Sequence, residues 1–134
     1  MQDWYDLFEV AKERYKFIEL RKGPVSLELL YTYLHASDVL LLHKDSTEVT
    51  TVSSTIYLCL GSGCPILTYN TNFVEDLDGE VIKYKKISKP LEEIFEGEIK
   101  VKIALMKAEE LVKRNSSYEI GKRFIELFEK LLLS

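Results

Sequence analysis

Apolar residues recur at helical spacing at the start of the chain. Trp4, Leu7, Phe8 and Ala11, with charges between them, predict an amphipathic helix over Asp3–Tyr15. The pattern then shortens. Lys16–Leu20 (KFIEL) predicts a strand closed by Arg21, Lys22, Gly23 and Pro24. Ser26 offers an N-cap oxygen to a second helix, whose apolar face is Leu27, Leu30, Tyr31 and Leu34 and which runs to Ala36. Asp38–Leu42 (DVLLL) is unbroken apolar sequence, as expected of a strand buried on both faces. After the polar stretch His43–Thr51, Ser53 or Ser54 caps a helix through Ile56, Tyr57 and Leu60, which Gly61 and Gly63 end.

Two further strands follow, Pro65–Tyr69 (PILTY) and the shorter Glu80–Tyr84 (EVIKY), with a polar turn at Asn70, Thr71 and Asn72 between them. Lys89–Phe95 predicts a helical turn. Ile99–Arg114 and Ser117–Leu133 predict two amphipathic helices parted by Asn115 and Ser116, with Ile103, Leu111, Phe124, Leu127 and Phe128 facing inward. Short apolar strands alternating with helices imply an α/β fold with a parallel sheet and right-handed crossovers. Such sheets bind ligands beyond the carboxyl ends of their strands. The segments that fall there are His43–Ser54, Asn70–Val74 and Tyr84–Ser88, and the first is the longest and richest in hydroxyls.

Composition narrows the classes. The 134 residues suit a single domain, 1–134, with a core of its own. Eighteen basic against 22 acidic residues give a net charge of −4, with the basic residues scattered among acids. No basic stripe suits a phosphate backbone, so nucleic acid is not an expected partner. No apolar run reaches the length of a membrane span, and the opening residues are polar and amphipathic, so a cytoplasmic location is the expectation. Cys59 and Cys64 lack metal-type spacing and are expected to be packed thiols. His43 follows a strand and sits either at the mouth of a site or in packing. Tyr31, Tyr33 and Tyr57 follow helical spacing and are expected to pack, and Arg21 and Lys22 to form a surface turn.

Three pieces of the chain carry a family resemblance. The stretch Gly23–Leu42 (GPVSLELLYTYLHASDVLLL) resembles a turn, helix and buried strand of GT-B glycosyltransferases. Ile56–Leu67 (IYLCLGSGCPIL) is similar to their helix-Gly-x-Pro-strand unit, and Ser116–Phe128 (SSYEIGKRFIELF) to their closing helix. The order and spacing of the pieces run from about Trp4 to the C-terminus. The resemblance implies the C-terminal, Rossmann-like domain of that fold without its first two strands. About four parallel strands are then expected, with helices on both faces and Lys16–Leu20 moved beside Asp38–Leu42.

By the same resemblance the ligand is a nucleotide-diphospho-sugar donor, and the acceptor binds a separate N-terminal domain or partner chain. A homodimer through an exposed sheet edge is the other expected partner. The diphosphate would meet Thr51, Val52, Ser53, Ser54 and Thr55 at a helix start, where backbone N–H groups and small hydroxyl side chains favour an anion. Ser53 or Ser54 as a plain helix cap is the competing role. Glu48 is the acid nearest the place where the family carries a glutamate facing the donor sugar, and is either that catalytic group or a solvated loop carboxylate. Leu58 stands where many members carry a ribose-binding glutamate, and no Gly-aromatic-Gly occurs upstream. An active chain would be a retaining, metal-independent transferase, incomplete on its own, with no cofactor beyond the donor. The alternative is an inactive remnant of the fold serving as a binding or assembly module.

Overall fold

The computed structural model describes residues 4–48 and 52–133. Among these residues the order is α1 (Trp4–Arg14), α2 (Leu27–Ala36), β1 (Leu40–Leu42), α3 (Ser54–Cys59), β2 (Ile66–Tyr69), β3 (Ile82–Tyr84), α4 (Ser88–Phe95), α5 (Ile99–Arg114) and α6 (Ser117–Leu132). The three strands form one parallel sheet in the order β1-β2-β3. Leu40 pairs with Ile66, and Leu67 with Ile82. Beyond the strand ends the ladder continues, the N–H of Asn70 donating to the carbonyl of Tyr84 at 2.9 Å.

Local chemistry sets the ends of the helices. The Ser26 hydroxyl accepts from the Leu29 N–H at 3.2 Å and starts α2, and Ser116 accepts from Glu119 at 3.3 Å and starts α6. α3 runs into a single 3₁₀ turn, Leu60–Ser62, and stops at Gly63, whose φ of 74° is left-handed. Gly61 lies inside that turn and does not end the helix.

The alternation of side chains along the strands divides the core. Leu40, Leu42 and Ile66 pack toward Leu34 of α2 and toward Ile56 and Cys59 of α3. Val39, Leu67, Ile82 and Tyr84 pack on the other face against Leu91 and Ile94 of α4 and Val101 of α5. Helices therefore cover both faces, as expected. Cys59 and Cys64 are buried free thiols, and burial pushes both up from their ordinary ionisation range.

Two expectations are corrected. Lys16–Leu20 is not a strand, so the sheet has three strands among the described residues and not about four. The chain leaves α1 through a turn in which the Ile18 N–H donates to the Tyr15 carbonyl at 3.1 Å, and Phe17 points outward at 84% exposure. Strand propensity alone cannot hold an extended segment that has no ladder. The inward faces of the last two helices also differ. α5 buries Val101, Ala104 and Ala108, while Ile103 is exposed and Leu111 half-buried. Phe124, Leu127 and Phe128 of α6 are exposed, and that helix buries no residue at all. Small alanines let α5 lie close to the body of the protein, so the large side chains on its flanks stay outside.

Candidate functional site

The register places three rings in one row at the carboxyl ends of the strands. Continuing the β1–β2 pairing by one residue sets His43 opposite Tyr69, which pairs with Tyr84. The imidazole of His43 stacks on the Tyr69 ring with centroids 4.7 Å apart, and the Tyr69 and Tyr84 rings lie 5.6 Å apart. His43 Nδ1 and the Tyr84 hydroxyl are hydrogen-bonded at 2.9 Å, and His43 Nε2 is 3.9 Å from the Asp45 carboxylate. α4 covers β2 and β3 on this face and leaves the β1 corner open, so Leu41 is half-exposed. The result is a hollow of about 420 Å³ lined by Leu41, His43, Asp45, Tyr69, Tyr84, Lys85 and Ile87.

Its chemistry follows from these groups. Burial raises the ionisation of the Tyr84 hydroxyl, with the neighbouring Tyr69 adding to the effect, so Tyr84 stays a neutral donor and acceptor. When Tyr84 donates to Nδ1, the Nε2–H of His43 points toward Asp45. When the imidazole is protonated, Nδ1–H donates to the Tyr84 oxygen instead. Either way a row of rings tilted 24° to 54° to one another forms a shelf flanked by one carboxylate and by Lys85. Such a shelf suits a ring-shaped ligand that stacks and presents hydroxyl or phosphate groups at its rim.

The loop after β1 is tied to the segment after β2. The Thr47 N–H donates to Asn72 Oδ1 at 3.3 Å, and the Asn72 amide returns a bond to the Thr47 carbonyl at 2.8 Å. Lys44 lies 5.2 Å from the centre of the Phe73 ring. These contacts hold the part of that loop up to Thr47 against the segment after β2.

The predicted site residues divide. Thr51 lies outside the described residues. Ser53 occupies the N-cap of α3, yet its side chain makes no capping bond. It is 2% exposed, and its Oγ has no hydrogen-bond partner among the described residues. The simple cap role is therefore not what Ser53 does. Val52, Ser54, Thr55 and Glu48 are exposed, and none of these five described residues lines the hollow. Arg21 lies over the Tyr33 ring and pairs with Glu19 at 3.6 Å, while Lys22 lies over Tyr5, in keeping with a surface turn. The Tyr31 hydroxyl donates to the Leu58 carbonyl at 2.8 Å.

Sequence reasoning missed two features. The ring row depends on register between strands and has no local spacing to reveal it. The Asp-x-Asp spacing of Asp76, Leu77 and Asp78 was legible and bears on metal binding, which was not expected. In the fold Leu77 is buried, the Asp76 carboxylate accepts from the Tyr57 hydroxyl, and the Asp78 carbonyl accepts from Lys107 at 3.0 Å. Among the described residues no group of three His, Cys, Asp or Glu is placed to hold a metal ion, and no helix is long and apolar enough to cross a membrane.

The Tyr57–Asp76 contact makes a titration prediction. Partial burial, the bond to Asp76 and the charges of Asp76 and Glu80 push Tyr57 from its ordinary 10.0 up to about 12. Its folded value lies above the unfolded one. The stability it adds is therefore whole below about pH 10 and drains as pH rises toward 12. In an ultraviolet titration, Tyr57→Phe should remove a phenol that ionises near pH 12. Loss of one ionising near 10 would contradict the contact. The chain matches no known protein-family model and no solved structure, so its own residues carry the functional reading.

Proposed function

We propose that this chain is a glycosyltransferase-like donor-binding domain that holds a nucleotide-diphospho-sugar at the carboxyl end of its sheet. It would act with an N-terminal acceptor domain or a partner chain. The observation that carries the reading is the row His43–Tyr69–Tyr84, a ring shelf at the edge where parallel sheets take their ligands. A ring of the donor stacks on His43 in the open corner, and the neutral Tyr84 and the Lys85 ammonium meet its polar rim. The diphosphate then meets the start of α3 at Ser54 and Thr55. The exposed hydroxyls of Ser54 and Thr55 stand at that helix start, while the Ser53 hydroxyl is buried beneath them. Catalysis in this reading consists of holding the donor and stabilising the departing phosphate. No residue is assigned as nucleophile or base, and Glu48 stays a candidate by resemblance alone.

The test is thermal unfolding of the purified chain with UDP, GDP, ADP and their sugar conjugates at millimolar concentration. A ligand at about ten times its Kd should raise the midpoint by roughly 4 °C. One base should be preferred. His43→Ala should abolish the rise, and Ser54→Glu with Thr55→Glu, both at exposed positions, should abolish it separately by repelling the phosphates. The absence of a shift with every nucleotide would sink donor binding.

A second reading, an assembly module of this fold without turnover, is favoured by one specific observation. α6 displays a broad apolar face of which no residue is fully buried and only Ile120 is half-buried. Turnover of a sugar donor by the chain with its acceptor partner would exclude that reading.

A further inference from the structure

The residues that follow β1 are His43, Lys44 and Asp45. His43 and Asp45 line the hollow at the sheet end, while Lys44 lies against the Phe73 ring. His43 Nε2 and the Asp45 carboxylate stand 3.9 Å apart, too far for a hydrogen bond to each other, and their side chains are 48% and 82% exposed. The other nitrogen of the imidazole is committed. Nδ1 is bonded to the Tyr84 hydroxyl at 2.9 Å, and Tyr84 is 7% exposed in the packing of the sheet against α4 and α5. Held by a buried hydroxyl at Nδ1 and turned toward a carboxylate at Nε2, the ring keeps its hydrogen on Nε2.

That pair of groups selects the chemistry of what enters between them. The Nε2–H only donates, and a carboxylate only accepts. A ligand group that meets both must accept from one and donate to the other. Phosphate oxygens offer no donor, and an amine offers no acceptor. A hydroxyl does both, and one hydroxyl oxygen at the usual ~2.8 Å from each partner spans a gap of 3.9 Å. The second carboxylate oxygen of Asp45 is then left for a hydroxyl on the next carbon.

We infer that His43 and Asp45 together hold a vicinal diol, and that it is the 2′,3′-diol of the nucleotide's ribose. The inference rests on the donor-binding reading and makes Asp45 the residue that tells ribonucleotides from their deoxy forms. A base stacked on the imidazole lies in a parallel plane about 3.5 Å away. The groups on its edge therefore miss the Nε2–H, which points within the plane of the imidazole. Ribose stands across the plane of its base and steps down past the ring edge to the level of Nε2. Its 2′ and 3′ hydroxyls meet His43 and Asp45 there, and its 5′ carbon leads the phosphates away from a carboxylate that would repel them. The transferred sugar carries hydroxyls of the same chemistry, but the diphosphate separates it from the stacked base.

Calorimetric titration of the full chain with UDP, GDP and ADP, each beside its 2′-deoxy form, tests the assignment. The nucleotide that binds best should lose about tenfold in affinity with its 2′-hydroxyl, because a hydrogen bond to a charged group goes with it. Asp45→Ala should weaken the ribonucleotide about tenfold and bring the two forms within about twofold of each other. Asp45 is exposed, so the variant should keep the wild-type unfolding midpoint. Equal affinity of the wild type for both forms overturns the inference and leaves donor binding intact. A discrimination that survives Asp45→Ala overturns it too, by placing the ribose elsewhere. So does a loss in Asp45→Ala confined to the sugar conjugates, which would assign the hydroxyls to the transferred sugar. Failure of every nucleotide to bind removes donor binding, and the inference with it.

Discussion

Leu67→Ala should cost about 3 kcal/mol of stability and lower the unfolding midpoint by roughly 10 °C. Leu67 lies in β2, the central strand, paired to Leu41 on one side and Ile82 on the other, and it is 0% exposed. It packs with Tyr84, Ile94 and Val101, the small cluster that joins the sheet to α4 and α5. Truncation removes the transfer free energy of the side chain. It also leaves a cavity that a sheet braced by helices on both faces cannot collapse to fill. Against a total stability of about 5–15 kcal/mol for a domain, that is a large fraction. Leu41→Ala provides the control. It removes the same atoms from the neighbouring position of the same sheet face, but Leu41 is 47% exposed. Its cost should stay below about 1 kcal/mol. Urea unfolding measures both, with an unchanged denaturant slope showing that the unfolded state is not the cause. Equal costs for the two would mean that α4 does not cover β2 as described.

The contrast between two similar segments shows what the sequence could tell. KFIEL and EVIKY have the same length and the same mix of apolar and charged residues. Only the second became a strand, because β2 offered it an edge and Asn70 extended the ladder to Tyr84. Pairing of this kind is decided by what lies nearby in space, which no window of residues contains. The elements whose signals are local were readable. Ser26 and Ser116 mark helix starts through their own hydroxyls, and the apolar runs DVLLL and PILTY contain β1 and β2. β1 is not buried on both faces as expected: only β2 is deeply buried, and Leu41 of β1 is 47% exposed. For α6 the periodicity showed an apolar face but not what covers it, since amphipathicity has no partner written into it. The loop-to-helix segment that drew attention in the sequence did contain one anomaly, the buried and unpartnered Ser53 hydroxyl. The ring shelf at His43, Tyr69 and Tyr84 came from residues far apart in the chain and was visible only as a set of strand ends.

Lys100→Ala should destabilise the protein by about 2 kcal/mol, a larger effect than its surface position suggests. Its ammonium pairs with Glu93, whose side chain is 10% exposed beneath the corner between α4 and α5. That corner is tight. The Gly97 N–H donates to the Ile94 carbonyl and the Glu98 N–H to the Glu93 carbonyl, both at 3.1 Å, and Gly97 has a φ of 67°. These bonds fix the backbone from which the Glu93 side chain projects into its buried place beside Lys100. Removing the lysine leaves a buried charge with no compensating partner, which costs more than the pair itself contributes. Lys100 is 43% exposed, so water softens the loss and keeps it below the 3–5 kcal/mol of a fully buried pair. The sign of the second step separates this account from simple loss of packing. Replacing both partners, Glu93→Leu with Lys100→Leu, removes the buried charge and should recover most of the stability lost in Lys100→Ala. Urea unfolding of the two variants beside the wild type decides it. A double variant as unstable as the single one would mean that Lys100 acts through its aliphatic stem against α4 and not through the charge on Glu93.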